Sequence, residues 1–356
     1  MERRRSRWRG GVAAAALALI AFATPAMAQE AGEVGGGAGD LPMVSSAAVP
    51  ANGIKAAKSP WRGTLLAIRT ETTLLTLQKD AELTYNPYVA LNFEARPRYH
   101  FGDIFYLALD FSLTRELTNA DDTTRRGETW LGDLNVGGGA QRFWTIPGVG
   151  IDLSADVRVV APTSRMSQAR TMQAALRGGL TLSRDFKVLK GLSIAYVLNG
   201  TGYFHRRTTA ALDAPLISGC GASDGSCDRF LNTGLRNSRF RLGNGLSISM
   251  DFLSWLALDV SVMHRLDFLY PAADGDPRIS YVPQDPTDRR HSLGYEIELR
   301  FTPMKSLGIG VGISSMNPLQ APDSTAYRPF VNRYTMAYLE LRLFVDGLVS
   351  QIKGEK

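Results

Sequence analysis

The chain alternates apolar and polar residues over long runs, and this alternation is its clearest structural signal. Residues 150–163, GIDLSADVRVVAPT, place Ile151 and four further aliphatic residues on one parity. The other parity carries Asp152, Asp156 and Arg158, together with a serine. A side-chain period of two predicts a β-strand with one apolar face and one charged face.

Runs of this kind follow one another along most of the chain. Twelve of them lie near residues 62–75, 87–99, 103–115, 128–142, 150–161, 171–184, 191–206, 237–252, 255–268, 290–302, 307–316 and 332–345. Strands of soluble proteins are mostly about five or six residues long, whereas a tilted strand that crosses a membrane needs about nine to eleven. The length of the runs therefore favours membrane-spanning strands.

The breaks between the runs alternate strictly between short and long. Short breaks lie near 100–102, 143–149, 185–190, 253–254 and 303–306, and long ones near 76–86, 116–127, 162–170, 207–236, 269–289 and 317–331. An outer-membrane barrel has tight periplasmic turns, longer outward loops and an even number of strands. The sequence therefore predicts an all-β fold, a transmembrane antiparallel up-and-down β-barrel of about twelve strands with both termini periplasmic.

A soluble all-β fold is the alternative, since charges on a strand face commonly meet water. Aromatic residues near the predicted strand ends, among them Trp130, Trp144 and Trp255, suit the two interfaces of a membrane instead. An arginine that faced lipid would cost about 2–4 kcal/mol near the midplane. We therefore expect the register that turns Asp156 and Arg158 into the barrel and the aliphatic residues outward.

The N-terminus has the layout of a secretory signal peptide. Five arginines precede an apolar stretch from Val12 to Ala23, and small residues flank Met27 before a cleavage site near Ala28. An uncleaved membrane helix is the alternative. We expect export to the outer membrane of a Gram-negative-type envelope, with four segments: a signal peptide (1–28), a flexible Gly/Ala/Pro-rich periplasmic leader or plug (29–60), the barrel (61–346) and a C-terminal tail (347–356).

Removal of the signal segment changes the charge of the chain. Residues 1–28 hold five of the 40 basic residues and one of the 34 acidic ones, so the remainder carries 35 against 33. A net charge of +2 gives no case for nucleic-acid binding, and we expect no nucleic-acid partner.

Cys220 and Cys227 are the two cysteines of the chain, in the segment CGASDGSC. In an exported protein this spacing favours a disulfide that closes a small loop. Zinc is the weaker interpretation, because no histidine lies close to them in sequence to complete a set of four ligands. We expect neither a metal nor a cofactor.

In this pattern the chain resembles bacterial outer-membrane β-barrel proteins of the porin or transporter type, over nearly all of residues 29–356. The segment Trp130-Leu131-Gly132-Asp133-Leu134 is similar to the Gly-Asp strand openings of some small barrel transporters for aromatic or hydrophobic compounds. The chain departs from the general pattern after Phe344, where such barrels commonly end on an aromatic residue. The resemblance implies partners of three kinds: the lipid bilayer with its outer-leaflet lipids, the barrel-assembly machinery and a small-molecule solute.

The polar parity of each strand predicts the residues that line the lumen or pore. They are Arg69, Glu94, Arg96, Arg98, Asp110, Asp133, Asp152, Asp156, Arg158, Arg177, Arg239, Arg241, Asp259, Arg265, Glu296, Glu298, Arg300, Gly308, Gly310, Gly312, Glu340 and Arg342. Arginines and acids are nearly balanced, which fits either an internal ion-pair network or a pore with little charge preference. Repeated inward glycines indicate either a close approach of some group or relief of strain where the barrel bends.

Three functions agree with this pattern. A small passive channel or transporter for a small solute is the first, because a barrel of about twelve strands lies between filled and open barrels in size. A structural or adhesin-like barrel with a filled lumen is the second. An outer-membrane lipid hydrolase is the third, but the sequence does not bring any of the four histidines together with a nucleophile and an orienting group, and we expect no catalysis.

Overall fold

A computed structural model describes residues 59–74, 88–118, 129–212, 231–271, 288–319, 326, 330–332 and 334–353. The strands are β1 (Leu65–Thr73), β2 (Val89–Arg96), β3 (Arg98–Phe101), β4 (Phe105–Glu116), β5 (Thr129–Leu131), β6 (Leu134–Ile146), β7 (Ile151–Ala161), β8 (Met172–Phe186), β9 (Gly191–His205), β10 (Thr209–Leu212), β11 (Leu231–Arg236), β12 (Ser238–Leu253), β13 (Leu256–Leu269), β14 (Arg289–Met304), β15 (Leu307–Pro318) and β16 (Met336–Phe344). Two short helices, α1 (Arg165–Ala169) and α2 (Val345–Ile352), accompany them.

The strands close into an antiparallel barrel. Strand β1 pairs with β2 on one side and with β16 on the other, so the described sheet has no free edge at this seam. Two barrel strands are each assigned in two pieces: β2 and β3 are separated by Pro97, which has no N–H for the ladder, and β5 and β6 by Gly132 and Asp133. With these joined, the described residues form twelve barrel strands, which confirms the predicted antiparallel barrel and its number of strands.

The connections differ at the two ends of the barrel. Short turns join β3 to β4, β6 to β7, β8 to β9, β12 to β13 and β14 to β15, and the longer connections lie at the opposite end. The hairpin of β10 and β11 extends the connection between β9 and β12. The first and last barrel strands begin and end beside the short turns, where Leu65 pairs with Phe344.

The barrel is polar inside and apolar outside. Along β16, Glu340 and Arg342 are 4% and 7% exposed, whereas their neighbours Leu339 and Leu341 are 54% and 47% exposed. Valines 157 and 159 of β7 are exposed in the same way. This is the register predicted for these strands, because alternate side chains point to opposite faces of a sheet. No helix in the described ranges is long and apolar enough to span a membrane.

Two local features depart from the sequence pattern. The register of β12 shifts between Ser238 and Phe240, and Arg239 at this bulge is exposed instead of sharing the environment of Arg241. The connection predicted as a plain loop at 162–170 contains α1. The signal segment, residues 29–58 of the leader and the proposed bridge between Cys220 and Cys227 lie outside the described residues.

Candidate functional site in the barrel lumen

One side of the lumen is filled by an ion-pair network that we call the ion-pair wall, formed by Arg69, Glu296, Glu298, Tyr338, Glu340 and Arg342. Arg342 donates to both carboxylate oxygens of Glu298, from Nη1 at 2.6 Å and from Nη2 at 2.5 Å, and its Nε donates to Glu340. Arg69 Nε donates to Glu340 at 2.5 Å. Charge-assisted bonds of this kind are strong where water is excluded, provided that every member has a partner.

Tyr338 completes the ion-pair wall. Its hydroxyl lies 2.6 Å from Glu296 Oε1 and 3.1 Å from Glu298 Oε2, and its ring lies under the guanidinium of Arg69 at 3.9 Å. Tyr338 is not among the residues predicted for the lumen, although its inward parity on β16, two residues before Glu340, was a usable signal. A second pair continues the wall toward the short turns, where Arg300 Nε lies 3.3 Å from Asp259 Oδ2.

The inward glycines of β15 lie beneath this wall. A Cβ on Gly310 would stand 2.6 Å from Glu298 Oε2, and one on Gly312 would stand 2.6 Å from the hydroxyl of Tyr338. Gly308 would meet the ring of Phe344 at 3.1 Å. At these three positions the close contacts come from the barrel itself: from side chains at all three, and at Gly312 also from the backbone carbonyl of Ile297.

The other side of the lumen contains a cavity of about 420 Å³. Its wall runs from β1 and β2 through β9 to β12 and contains nine of the predicted lumen residues: Glu94, Arg96, Arg98, Asp110, Asp133, Asp156, Arg158, Arg177 and Arg241. Arg142 and Arg170 also line it, so its charged side chains are seven arginines and four acids. The near-balance of charge in the whole lumen thus hides two unlike sides, with the ion-pair wall rich in acids and the cavity rich in arginines.

Two of the cavity arginines, Arg158 and Arg96, form ion pairs with carboxylates of the cavity wall. Arg158 donates to Asp110, and its Nε lies 3.1 Å from Asp156 Oδ2. Arg96 Nε donates to Glu94 Oε1 at 2.6 Å.

A folded loop covers part of the cavity near the end of the barrel with long connections. Helix α1 contributes lining residues, and Asp133 anchors it by accepting hydrogen bonds from the backbone N–H of Ser164 at 2.9 Å and from the hydroxyl of Ser167. His205 Nδ1 lies 2.8 Å from the carbonyl of Arg170 just after the helix. The Gly-Asp interruption between β5 and β6 thereby positions a loop over the lumen.

The remaining predicted lumen residues lie outside both groups. Arg265 Nε lies 3.0 Å from Asp267 Oδ2 on β13. Asp152 lies near the short turn after β6 and accepts a hydrogen bond from the Thr145 hydroxyl at 2.6 Å. It does not contribute to the cavity wall as described.

The outward face of the barrel brings two histidines together. His264 Nε2 and His291 Nδ1 are 3.1 Å apart, and Asn244 approaches His264 at 3.5 Å. Within the described ranges no serine or threonine hydroxyl is hydrogen-bonded to this pair. The same part of the chain contains no group of three or more His, Cys, Asp or Glu side chains that could hold a metal ion.

No family model matches the chain, and no curated protein sequence matches it either. An outer membrane channel from Pseudomonas putida F1 is similar in structure, with a TM-score of 0.50 at 10% identity, over 82% of this chain and 98% of the channel. The NanC porin has a TM-score of 0.41 at 6% identity, over 78% and 98% of the two chains. LpxR from Salmonella typhimurium has a TM-score of 0.35 at 10% identity, over 79% and 99%. The likeness to the channel confirms that the fold is that of bacterial outer-membrane β-barrel proteins.

Proposed function

We propose that this protein is an outer-membrane channel or transporter that lets a small solute pass or bind in its lumen without catalysis. The observation that carries the proposal is the cavity of about 420 Å³, which lies inside the barrel and is bordered by charged and polar side chains. A barrel serving only as a scaffold has no need of such a space, since buried arginines are costly unless they are paired.

The outward surface supports a place in the outer membrane. Exposed aliphatic residues alternate with buried charges on the strands, and hydrocarbon is the solvent that such a surface favours. Aromatic rings cluster beside the short turns. The ring centroids of Trp255 and Phe301 are 6.1 Å apart in a stacked pair, and those of Trp61 and Tyr99 are 5.0 Å apart in an edge-to-face pair. Aromatic residues favour the membrane interface. In this proposal the short turns and both termini face the periplasm, and the barrel-assembly machinery inserts the exported chain.

Liposome swelling tests the proposal. Vesicles that contain the purified, folded barrel are diluted into an isotonic solution of a pentose sugar, and uptake is followed as a fall in turbidity. We expect faster swelling than in empty vesicles and in vesicles with heat-unfolded protein. Equal rates in all three would contradict the channel function.

A filled, structural barrel is the second candidate, and the ion-pair wall favours it. The side chains of Arg69, Glu298 and Arg342 are all less than about a tenth exposed. Arg342 pairs with Glu298, and Arg69 pairs with Glu296 and Glu340, so the contacts join β1, β14 and β16. Such a network braces a barrel without transporting anything. The swelling experiment separates the two candidates, because a structural barrel would leave the permeability of the vesicles unchanged.

A further inference from the structure

Four arginines of the cavity wall belong to one row of residues that are paired from strand to strand. The strand register joins Arg98 to Ala108, Ala108 to Gly137, Gly137 to Arg158, Arg158 to Arg177, Arg177 to Thr201, Thr201 to Arg241 and Arg241 to Asp267. Because residues joined in this way are lateral neighbours on adjacent strands, they form a row across the sheet. We call Arg98, Arg158, Arg177 and Arg241 the arginine row.

Small residues separate the members of the arginine row at two places, whereas Arg158 and Arg177 are adjacent. Ala108 and Gly137 lie between Arg98 and Arg158, and Thr201 lies between Arg177 and Arg241. Gly137 is required in this place, because a Cβ there would stand 2.1 Å from the carbonyl oxygen of Val157 and 2.8 Å from Cγ of Arg158. The small side chains leave the space in front of the row to the guanidinium groups.

Among the described residues, the carboxylates near the row contact two of its members, Arg158 and Arg241. Arg158 is bonded to Asp110 and Asp156, and Arg241 Nε lies 2.6 Å from Asp267 Oδ1, an acid that it shares with Arg265. Within the described ranges, neither Arg98 nor Arg177 has a carboxylate oxygen within 4.0 Å of its guanidinium.

The two arginines without a carboxylate still have defined surroundings. Cζ of Arg98 lies over the ring of Tyr106, 4.5 Å from the ring centroid, and this cation–π contact restrains the guanidinium. Asp156 is close enough to attract both Arg98 and Arg177 without contacting either, and its own bond goes to Arg158.

This arrangement is unfavourable for an empty barrel. Arg158 and Arg177 are direct cross-strand partners, and like charges in this position destabilise a sheet. Arg158 is also within electrostatic range of Arg96 and Arg98. The arginines of the ion-pair wall, in the same lumen, are arranged differently, because each of them contacts at least one carboxylate oxygen.

We propose that the arginine row is a binding site for an oxyanion, the carboxylate or phosphate group of a small solute, held by Arg98 and Arg177 with Arg158 between them. Guanidinium groups present planar pairs of N–H donors that match the oxygens of carboxylates and phosphates. A bound anion supplies the negative charge that the row lacks and removes the repulsion between Arg158 and Arg177. The solute class rests on the proposed channel function, whereas the binding site itself does not.

Ion selectivity in planar bilayers tests the solute class. With a tenfold gradient of KCl, we expect the reversal potential of the parent barrel to show a preference for chloride over potassium. The double variant Arg98→Gln and Arg177→Gln is expected to lose this preference. Arg184→Gln is the control, because it removes one arginine from the outward parity of the same strand, β8, and should leave the selectivity unchanged. A cation-selective parent, or a double variant that matches the parent, would overturn the proposal.

Equilibrium binding tests the site without requiring a channel. Calorimetric titration of the folded barrel in a zwitterionic detergent with inorganic phosphate should show binding that weakens at least about 10-fold in Arg177→Gln, since bonds to charged groups are lost. Arg177→Lys keeps the positive charge but loses the planar pair of N–H donors, so its affinity for phosphate should lie between that of the parent and that of Arg177→Gln. Faster migration of the unboiled than of the boiled sample on a denaturing gel confirms that each variant is folded. If the parent binds phosphate but shows no conductance in bilayers, the channel function is contradicted and the binding site is not. If the parent does not bind phosphate, or if Arg177→Gln binds it equally well, the arginine site is contradicted.

Discussion

Arg342 on β16 holds Glu298 on β14 by two parallel hydrogen bonds of 2.6 and 2.5 Å, across the glycine strand β15 that separates them. Glu298 is 1% exposed, so this pair is shielded from solvent. The charges on this side of the lumen are therefore used within the protein, whereas arginines on the other side remain directed at a cavity. The contrast between these two sides underlies the predictions that follow.

Loss of the Glu298 carboxylate should destabilise the barrel strongly. Glu298→Gln removes the carboxylate that accepts both Nη donors of Arg342, while Arg342 keeps Glu340 and Tyr338 keeps Glu296. Breaking a buried pair from one side costs about 3–5 kcal/mol, and the remaining partners place the expected loss at the lower end of this range. Urea unfolding in detergent, followed by tryptophan fluorescence, measures the change. Glu94→Gln is the control, because Glu94 is a more exposed member of a single pair with Arg96 and should cost about 1 kcal/mol or less. Equal losses in the two variants would contradict the role of the ion-pair wall.

A methyl group at Gly310 should destabilise the barrel, because it would press on the buried Glu298 carboxylate. Gly310→Ala places a Cβ 2.6 Å from Glu298 Oε2, an oxygen that Arg342 holds in position. Overpacking of this kind costs about 1–3 kcal/mol. Gly178→Ala is the matched control, since a Cβ there meets nothing within 4 Å, and it should be neutral or slightly stabilising. The unfolding midpoints of the two variants provide the comparison. An unchanged midpoint in Gly310→Ala would contradict the tight packing of the ion-pair wall against β15.

The direction of side chains on β7 can be tested at adjacent positions. Val157→Arg puts a charge on the outward face, where it should cost about 2–4 kcal/mol near the middle of the bilayer, whereas the natural Arg158 faces inward. Val157→Leu keeps the face apolar and serves as the control. Folding into liposomes, measured by the gel shift before boiling, should be impaired in the arginine variant alone. Similar folding of both variants would contradict the assigned membrane face.

The sequence predicted the barrel well because a membrane imposes period-two alternation over long strands, and this pattern survives without any knowledge of contacts. It predicted less of the site. Parity assigns a residue to the lumen, but it cannot tell that Glu298 contacts Arg342 while Arg177 contacts no carboxylate among the described residues, since these contacts depend on strands far apart in sequence. Arg239 illustrates a further limit, because a one-residue bulge changes the face and is invisible to a count of alternation.

The bridge between Cys220 and Cys227 stays a prediction. Whole cells treated with a thiol reagent that cannot cross the membrane should be labelled only after reduction, if the two residues lie on an outward loop and form a disulfide. A ring of this size should stabilise the loop by about 2–3 kcal/mol. Labelling without reductant would show free thiols, and Cys220→Ser with Cys227→Ser provides the background control.

Single-channel recording with thiol modification tests the central claim most directly, namely that a water-filled path follows the cavity and avoids the ion-pair wall. Ser247 lines the cavity, whereas Ser314 is an inward serine on β15 that is not part of the cavity wall. The two residues are 8% and 7% exposed, so they differ in position and not in burial. In a chain without its two natural cysteines, we predict discrete openings that a charged thiol reagent reduces in Ser247→Cys and leaves unchanged in Ser314→Cys. Equal block of the two variants, or a silent parent that stays silent when residues 29–60 are removed, would contradict this account.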